Sequence, residues 1–154
     1  MNQRALIQLG DWDAGTPLPC RSKTITQEQL NRYAQVSGDQ NPLHLDPDFA
    51  ATTQFGGIIA HGMLTLALVS EMLVAAFGKS WLETGGLKVR FKGAAYLGEK
   101  LETWGRVEKV ATNGESTQLV CAVGVWNRDR DQEIITGTAT LALSCPEDSS
   151  PGDS

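Results

Sequence analysis

The sequence has few of the residues that bind metals or form disulfide bonds. Its 154 residues include two histidines and three cysteines. The cysteines, Cys20, Cys121 and Cys145, are odd in number and scattered, and no pair has the spacing of a metal site. No P-loop, Gly-x-Gly-x-x-Gly or Gly-x-Ser-x-Gly motif occurs. We therefore predict reduced thiols, as in a cytosolic protein, and no bound metal.

The sequence also lacks an excess of positive charge and a long apolar run. Its formal net charge is -5, which argues against a nucleic-acid or anionic-membrane partner because both attract a basic surface. The longest apolar stretch, Met63 to Phe77, contains Thr65, Ser70 and Glu71 and is too short to cross a bilayer. We expect no signal peptide, because no cationic segment followed by an apolar one opens the sequence. These absences predict a cytoplasmic protein without a membrane partner.

Three helices are predicted before a series of strands. Thr26 and Gln29 have capping-box spacing, and Gly38 is a suitable helix end. Asp46-Pro47 opens a short helix, and a long helix from Gly62 to Phe77 is apolar on most faces, which is typical of an enclosed helix.

The strands follow a change of hydrophobic period to two at Thr84. Extended runs are predicted within residues 84–92, 99–110, 117–126 and 133–143, with an Asn113-Gly114 hairpin turn and a weaker first strand at 18–25. This order predicts an α+β fold in which an antiparallel sheet curls around the long helix. We expect a single domain over residues 1–145 and a disordered tail over 146–154.

Asp39 and His44 could perform acid-base chemistry. They lie five residues apart across a proline-containing turn that also holds Asn41. A carboxylate beside an imidazole can hold a water between a base and an acid. The spacing alone also fits an ordinary turn, in which Asp39 caps, His44 is a satisfied loop residue and Asn41 precedes a proline.

His61-Gly62 at the start of the long helix is the second candidate. The first helical amides have no acceptor within the helix, and a glycine lets a carbonyl approach closely, so the Gly62 amide could stabilise an enolate oxygen. A tight loop-to-helix connection explains the same residues equally well. Ser70, about two turns further along, could face the same cavity or be only structural.

A basic stripe consists of Lys88, Arg90 and Lys92, which alternate with apolar residues. In an acidic protein this stripe could receive phosphates. A solvated outer strand face is the simpler interpretation of the pattern alone.

Two segments resemble the MaoC-like hydratases, among them the (R)-specific 2-enoyl-CoA hydratases. They are SGDQNPLHLDP, from Ser37 to Pro47, and FGGIIAHGML, from Phe55 to Leu64. The resemblance covers roughly residues 18–143 and implies a hot-dog fold. It differs after the basic strand, where family members often have a proline and this chain reads KGAAYLGEKL.

The resemblance implies a role for each candidate. Asp39 and His44 activate water for syn addition to a trans-2-enoyl thioester, and the Gly62 amide holds the thioester carbonyl. The remaining residues support the dyad (Asn41, Ser70, His61) or bind substrate (Leu66 and Leu73 at the acyl chain; Lys88, Arg90 and Lys92 at the CoA phosphates). No cofactor is implied, since CoA belongs to the substrate, and the usual assembly is a homodimer or larger homo-oligomer.

The sequence thus predicts a lyase that reversibly hydrates trans-2-enoyl-CoA to (R)-3-hydroxyacyl-CoA. An acyl-CoA thioesterase on the same fold and a non-catalytic acyl-thioester binding subunit are the alternatives. The sequence does not indicate acyl length or branching, CoA or acyl carrier protein as carrier, the physiological direction, or which of Asp39 and His44 is the base.

Overall fold

One antiparallel sheet of five strands organises the computed structural model, which describes residues 12–144. The strands are Ser22–Thr24 (β1), Gly86–Phe91 (β2), Lys100–Asn113 (β3), Ser116–Asn127 (β4) and Gln132–Ser144 (β5). Their order across the sheet is β1-β3-β4-β5-β2, so β1 and β2 form the edges. The curled antiparallel sheet and its helices confirm the predicted α+β fold.

Within the described part of the chain, four α-helices accompany the sheet, namely Gln27–Ser37 (α1), Pro47–Ala51 (α2), Gly62–Phe77 (α3) and Lys79–Thr84 (α4). The capping box of α1 forms as predicted, because Thr26 accepts from the Gln29 amide while the Gln29 side chain accepts from the Thr26 amide. Gly38 ends α1 in the left-handed conformation, with φ of 79°. Local sequence signals therefore determine where α1 begins and ends.

Helix α3 packs its buried side against β3, β4 and β5. Its buried residues are Thr65, Leu68, Val69, Met72, Leu73 and Phe77. The opposite face, with Met63 and Val74, stays exposed in the single chain. The apolar sequence predicted enclosure on most sides, and the sheet of one chain covers only part of it.

Strands β3 and β4 form the predicted hairpin. Gly114 adopts a φ of 61° in the turn, which favours glycine. Strand β4 has a central place in the sheet, and four of its residues that share the inner face are completely or almost completely buried, namely Leu119, Cys121, Val123 and Val125. This alternation is the period-two pattern on which the strand prediction rested.

Two features differ from the sequence-based expectations. The first strand is only three residues long, and residues 18–21 before it are not part of a strand. The sequence reasoning missed α4, which packs against β5.

Within residues 12–144, no helix has both the length and the hydropathy needed to span a bilayer. The predicted disordered tail, 146–154, lies outside the described residues.

Candidate active site

The turn after α1 brings Asp39 and His44 together. Asp39 follows the cap Gly38, and its backbone amide donates to Ser37 Oγ at 3.1 Å. The Asn41 amide donates to Asp39 Oδ1 at 3.2 Å, and Asn41 Oδ1 accepts from the Leu43 amide at 3.0 Å. Asn41 thereby caps the 3₁₀ turn Pro42–His44 and holds one oxygen of Asp39 through its backbone.

His44 is buried and is oriented by the backbone of another segment. Its Nδ1 lies 2.7 Å from the carbonyl oxygen of Ile59. A carbonyl can only accept a hydrogen bond, so Nδ1 carries the proton in the neutral ring. The other nitrogen, Nε2, is then left with its lone pair free, which is the form that a general base requires.

The free nitrogen of His44 faces the carboxylate of Asp39. Nε2 lies 4.0 Å from Asp39 Oδ2. This separation is too long for a direct hydrogen bond, but one water at about 2.8 Å from each atom fits between them. The Asp39 side chain is half exposed and that of His44 is about one tenth exposed, so the pair lies at the boundary between core and solvent.

His61 supports this pair from the N-cap position, directly before α3. Its ring stacks on the His44 ring at 3.9 Å between centroids and lies 4.7 Å from the Tyr33 ring. Its Nε2 donates to the backbone carbonyl of Asp39 at 3.2 Å. The His61 ring therefore contacts both members of the pair, since it stacks on the ring of His44 and binds the backbone carbonyl of Asp39.

Burial controls the charge of His61. The side chain is 1% exposed, and its Nδ1 has no hydrogen-bond partner among the described residues. Desolvation by burial is the main reason that the pKa of His61 lies below its ordinary value, and the neighbouring His44 ring lowers it further. The neutral ring fits a packing and orienting role beside the pair.

Asp39, His44 and His61 also have the residue types of a metal site. Each offers one ligand atom, and these atoms lie within 4.8 Å of one another. However, the two imidazole rings are stacked 28° from parallel, so their in-plane lone pairs do not converge on one point. The Nε2 atom of His61 is also occupied by the Asp39 carbonyl. The arrangement suits proton transfer better than metal binding.

Gly62 begins α3 next to this cluster. Among residues 12–144, no side chain caps this end of the helix, and the first helical amide has no acceptor within the helix. The helix dipole adds partial positive charge there. A Cβ on Gly62 would lie 3.3 Å from Cε1 of Phe91, at the end of β2. The amide is thus available to an incoming oxygen, and the space beside it is limited by an aromatic ring.

Ser70 is not part of the cluster around Asp39 and His44. It lines a surface cleft of about 480 Å³ on the exposed side of α3. The other lining residues are Arg21, Ala67, Glu71, Val74 and Ala75. Within one chain, Ser70 therefore lies apart from Asp39 and His44, which it was predicted to support.

The two leucines predicted to line an acyl tunnel have different surroundings. Leu66 is partly buried and packs at the border of the hydrophobic core. Leu73 is 0% exposed and belongs to the core itself. Of the two, only Leu66 has surface that a ligand could contact without rearrangement of the core.

The basic stripe faces away from the cluster. Phe91 contacts the Gly62 position from the inner side of β2, so Lys88 and Arg90, at alternate positions, project from the outer side. They line a cleft of about 530 Å³ with Thr136, Gly137 and Thr138. Lys92 follows the strand and pairs with Glu133 at 3.0 Å, so its charge is already partly neutralised.

Sequence reasoning missed three participants in this region, namely Ile59, Tyr33 and Phe91. Ile59 acts through its carbonyl, which carries no side-chain signal. Tyr33 lies on α1, and only the tertiary structure places its ring beside that of His61. Phe91 has an apolar side chain without a chemical signal, and its contact with the Gly62 position depends on the packing that brings the end of β2 to the start of α3.

Known proteins resemble this chain both in amino-acid sequence and in backbone structure. Residues 13–125 match the sequence model of the family described as MaoC like domain. The chain is 27% identical over 129 residues to 3-hydroxybutyryl-CoA dehydratase from Methylorubrum extorquens, covering 84% of this chain and 80% of that protein. It is 41% identical over 80 residues to the (R)-specific enoyl-CoA hydratase from Aeromonas caviae, covering 52% of this chain and 51% of that one.

A solved structure extends the likeness to the fold. The unliganded R-hydratase PhaJ1 from Pseudomonas aeruginosa superposes with a TM-score of 0.74 at 29% sequence identity, covering 94% of both chains. This likeness confirms the hot-dog fold that the two sequence segments predicted.

Proposed function

The chain belongs to the MaoC-like dehydratase and hydratase family, and we propose that it reversibly hydrates a trans-2-enoyl-CoA to the (R)-3-hydroxyacyl-CoA. The observation that carries the proposal is the hydrogen bond from His44 Nδ1 to the Ile59 carbonyl at 2.7 Å. Because it leaves Nε2 unprotonated beside Asp39, it supports a site that takes a proton from water. The named relatives, which are hydratases and dehydratases, support the same reaction class.

In the proposed reaction, one water is held between His44 Nε2 and Asp39 Oδ2. Its oxygen bonds to C3 of the enoyl group as one of its protons passes to the dyad. A proton from the dyad is delivered to C2 on the same face, so the dyad ends in its starting protonation state. The proposal assigns the C2 proton to the dyad as a unit.

The amide of Gly62 has a separate role in the proposal. As the double bond is attacked, negative charge develops on the thioester carbonyl oxygen. An uncapped helix N-terminus offers an oriented donor to that oxygen, and the donor gains strength as the charge grows. No cofactor is needed in this scheme, since CoA is part of the substrate.

The acyl and CoA portions are proposed to contact different parts of the chain. Leu66, next to the core, is the better candidate for limiting acyl length, while Leu73 would act by shaping the core behind it. Lys88 and Arg90 offer two exposed cations for CoA phosphates on the outer face of β2, and Lys92 contributes less because Glu133 pairs with it.

We also propose that the protein forms a homodimer in the cytoplasm. Strand β2 is an edge of the sheet, and its unpaired backbone groups could continue into a second copy. Light scattering coupled to size exclusion tests this assembly, and a monomeric mass at micromolar concentration would contradict it.

An acyl-CoA thioesterase is the second candidate function, because a water beside His44 and Asp39 could instead attack the thioester carbon. The discriminating experiment mixes the protein with crotonyl-CoA and follows conjugated-enoyl absorbance and free thiol together. Loss of conjugation without thiol, with (R)-3-hydroxybutyryl-CoA as product, is the expected result. Release of thiol would refute the hydratase proposal, and longer enoyl chains decide whether a lack of reaction reflects chain length or a non-catalytic subunit.

A further inference from the structure

The carbonyl that orients His44 belongs to a short segment without a regular place in the sheet. Ile58, Ile59 and Ala60 are buried residues between α2 and α3. They are held by a second irregular segment just before β3. The Ala60 amide donates to the Ala95 carbonyl at 2.8 Å, and the Leu97 amide donates to the Ile58 carbonyl at 3.1 Å. The position of the Ile59 carbonyl therefore depends on residues 95–97.

Residues 95–97 are in turn fixed by one carboxylate. Oε1 of Glu99 accepts from the Tyr96 amide at 2.7 Å, and Tyr96 is the residue directly bridged to Ile59. The other oxygen, Oε2, accepts from Asn127 Nδ2 at 2.8 Å and pairs with Arg130 Nε at 2.9 Å. The Glu99 side chain is only 12% exposed, and its contacts connect its own turn, the end of β4 and the loop after β4.

The partners of Glu99 are themselves well anchored. Asn127 is completely buried, and its Oδ1 accepts from the amides of Asp129 and Arg130. The Arg130 guanidinium lies 3.9 Å over the ring of Tyr96. The Tyr96 hydroxyl donates to the Phe55 carbonyl at 2.8 Å, which ties it to the loop that leads to Ile59.

We propose that Glu99 is a positioning residue that sets the tautomer and direction of the His44 ring by fixing the 95–97 segment and, through Tyr96, the Ile59 carbonyl. Glu99 has no contact with His44 in this scheme, and its effect passes through backbone pairing. The inference rests on the proposed function for its effect on turnover, while its effect on the ring can be measured without any substrate.

A displaced Ile59 carbonyl would change the protonation of the imidazole. If the carbonyl shifts by a fraction of an ångström, the 2.7 Å bond from His44 weakens and the proton on Nδ1 loses its partner. The ring can then carry its proton on Nε2, the nitrogen that must be free. Misplacement of a reacting group by about 1 Å can cost roughly 100-fold in rate.

The test compares Glu99→Gln with the unaltered protein in two measurements. Glutamine keeps the size of the side chain but cannot accept from the Tyr96 amide, Asn127 and Arg130 together. We expect kcat to fall roughly 10–100-fold with KM within about twofold, as for other residues that orient an imidazole ligand or base. Nitrogen-15 NMR of the imidazoles at about pH 8.5, above the range where histidine ordinarily titrates, should show His44 changing from the Nδ1-H form to a mixture.

The chain offers a matched control variant and a simple way to assign the histidine NMR signals. Glu102→Gln alters another carboxylate paired with an arginine, since Arg128 Nε lies 2.6 Å from Glu102 Oε2, and it should change neither measurement. The chain has two histidines, so the spectrum of His44→Ala identifies the His44 signals. Arg130→Met, which leaves the bond between Glu99 and the Tyr96 amide in place, is measured alongside and should give a smaller shift in the same direction.

Either measurement can overturn the inference. A Glu99→Gln protein that is less stable but keeps the wild-type kcat and the Nδ1-H form of His44 would show that Glu99 only stabilises the fold. If Glu99→Gln does not fold, Glu99→Asp takes its place, because the shorter carboxylate cannot hold the Tyr96 amide together with Asn127 and Arg130. An unchanged tautomer in that variant would likewise show that Glu99 does not position the ring. If the unaltered protein hydrates no enoyl-CoA, the proposed function fails, and the NMR comparison still decides the role of Glu99.

Discussion

Replacement of Gly62 by alanine separates the chemistry of the helix terminus from its packing. The new Cβ would lie 3.3 Å from Cε1 and 3.5 Å from Cδ1 of Phe91. The shorter of these contacts is tighter than an ordinary van der Waals distance, so the ring must move by a few tenths of an ångström. Phe91 is 52% exposed, so it has room to do so.

The effect on stability should be small. Alanine is favoured over glycine in a helix by about 0.5–1 kcal/mol, which opposes the cost of shifting Phe91. We expect the free energy of unfolding to change by less than about 1 kcal/mol, which corresponds to a shift in Tm of about 2–4 °C at most for a chain of this size.

The effect on turnover should be much larger. If the thioester carbonyl approaches the Gly62 amide, a methyl group at this position keeps the oxygen away from its donor. Loss of one such donor typically lowers kcat by about 100–1,000-fold, or roughly 2.7–4 kcal/mol. The catalytic cost therefore exceeds the expected change in folding free energy.

The assay measures kcat and KM with crotonyl-CoA and Tm on the same samples. Gly57→Ala is the control, because its Cβ would lie 3.9 Å from Tyr96, an ordinary contact in the loop before α3. The double variant Gly62→Ala with Phe91→Leu relieves the crowding but keeps the methyl group. If that variant regains the kcat of Phe91→Leu alone, the loss came from packing, and the proposed role of the amide is wrong.

The dyad, the basic stripe and His61 each allow a further prediction. Asp39→Asn and His44→Ala should each lower kcat about 100–10,000-fold while the protein stays folded by circular dichroism, because each removes one side of the water site. Lys88→Ala and Arg90→Ala should each raise KM for crotonyl-CoA roughly 3–10-fold with little change in kcat, because they remove phosphate contacts remote from the reaction. The pKa of His61 is lowered in the folded protein from its ordinary value of 6.5. The stability that the neutral ring contributes is therefore complete above pH 6.5 and is lost as the pH falls through the folded pKa. Urea unfolding should show a lower free energy of unfolding at about pH 5.5 than at about pH 7.5.

Each of these predictions has its own control. Asp48→Asn, at an exposed position in the first turn of α2, should leave kcat unchanged, and near-normal turnover of either dyad variant would refute the dyad. Lys79→Ala removes a lysine paired with Glu83 on α4 and should not alter KM. A crotonyl thioester of N-acetylcysteamine has no phosphates, so Lys88→Ala should not weaken its binding. If Lys88→Ala weakens the binding of this thioester as much as that of crotonyl-CoA, the proposal that the outer face of β2 binds the CoA phosphates is wrong.

The control for the acid effect replaces His61, which stands at the N-cap position of α3. His61→Asn places a favourable N-cap residue at the start of α3 and removes the titrating ring. Its stability should change less between the two pH values than that of the unaltered protein. Equal changes in both proteins would show that other groups cause the loss of stability in acid.

The sequence by itself determined the features that depend on neighbouring residues. The capping box at Thr26, the end of α1 at Gly38, the proline-opened α2 and the Gly114 turn use hydrogen bonds between residues a few positions apart. The strand pattern follows from side-chain alternation alone. The proximity of Asp39 and His44 belongs to the same class, because the 3₁₀ turn between them is closed by Asn41.

Only the tertiary structure decided what surrounds those residues. Ile59 orients His44 through a carbonyl 15 residues away. Glu99, which accepts from the Tyr96 amide next to that segment, is itself anchored by partners 28 or more residues further along the chain. The cleft around Ser70 and the exposed face of α3 were not visible in the sequence for the same reason, since a run of apolar residues does not say which side the sheet covers. Contacts across long loops depend on how whole elements pack, and no local spacing in the sequence specifies them.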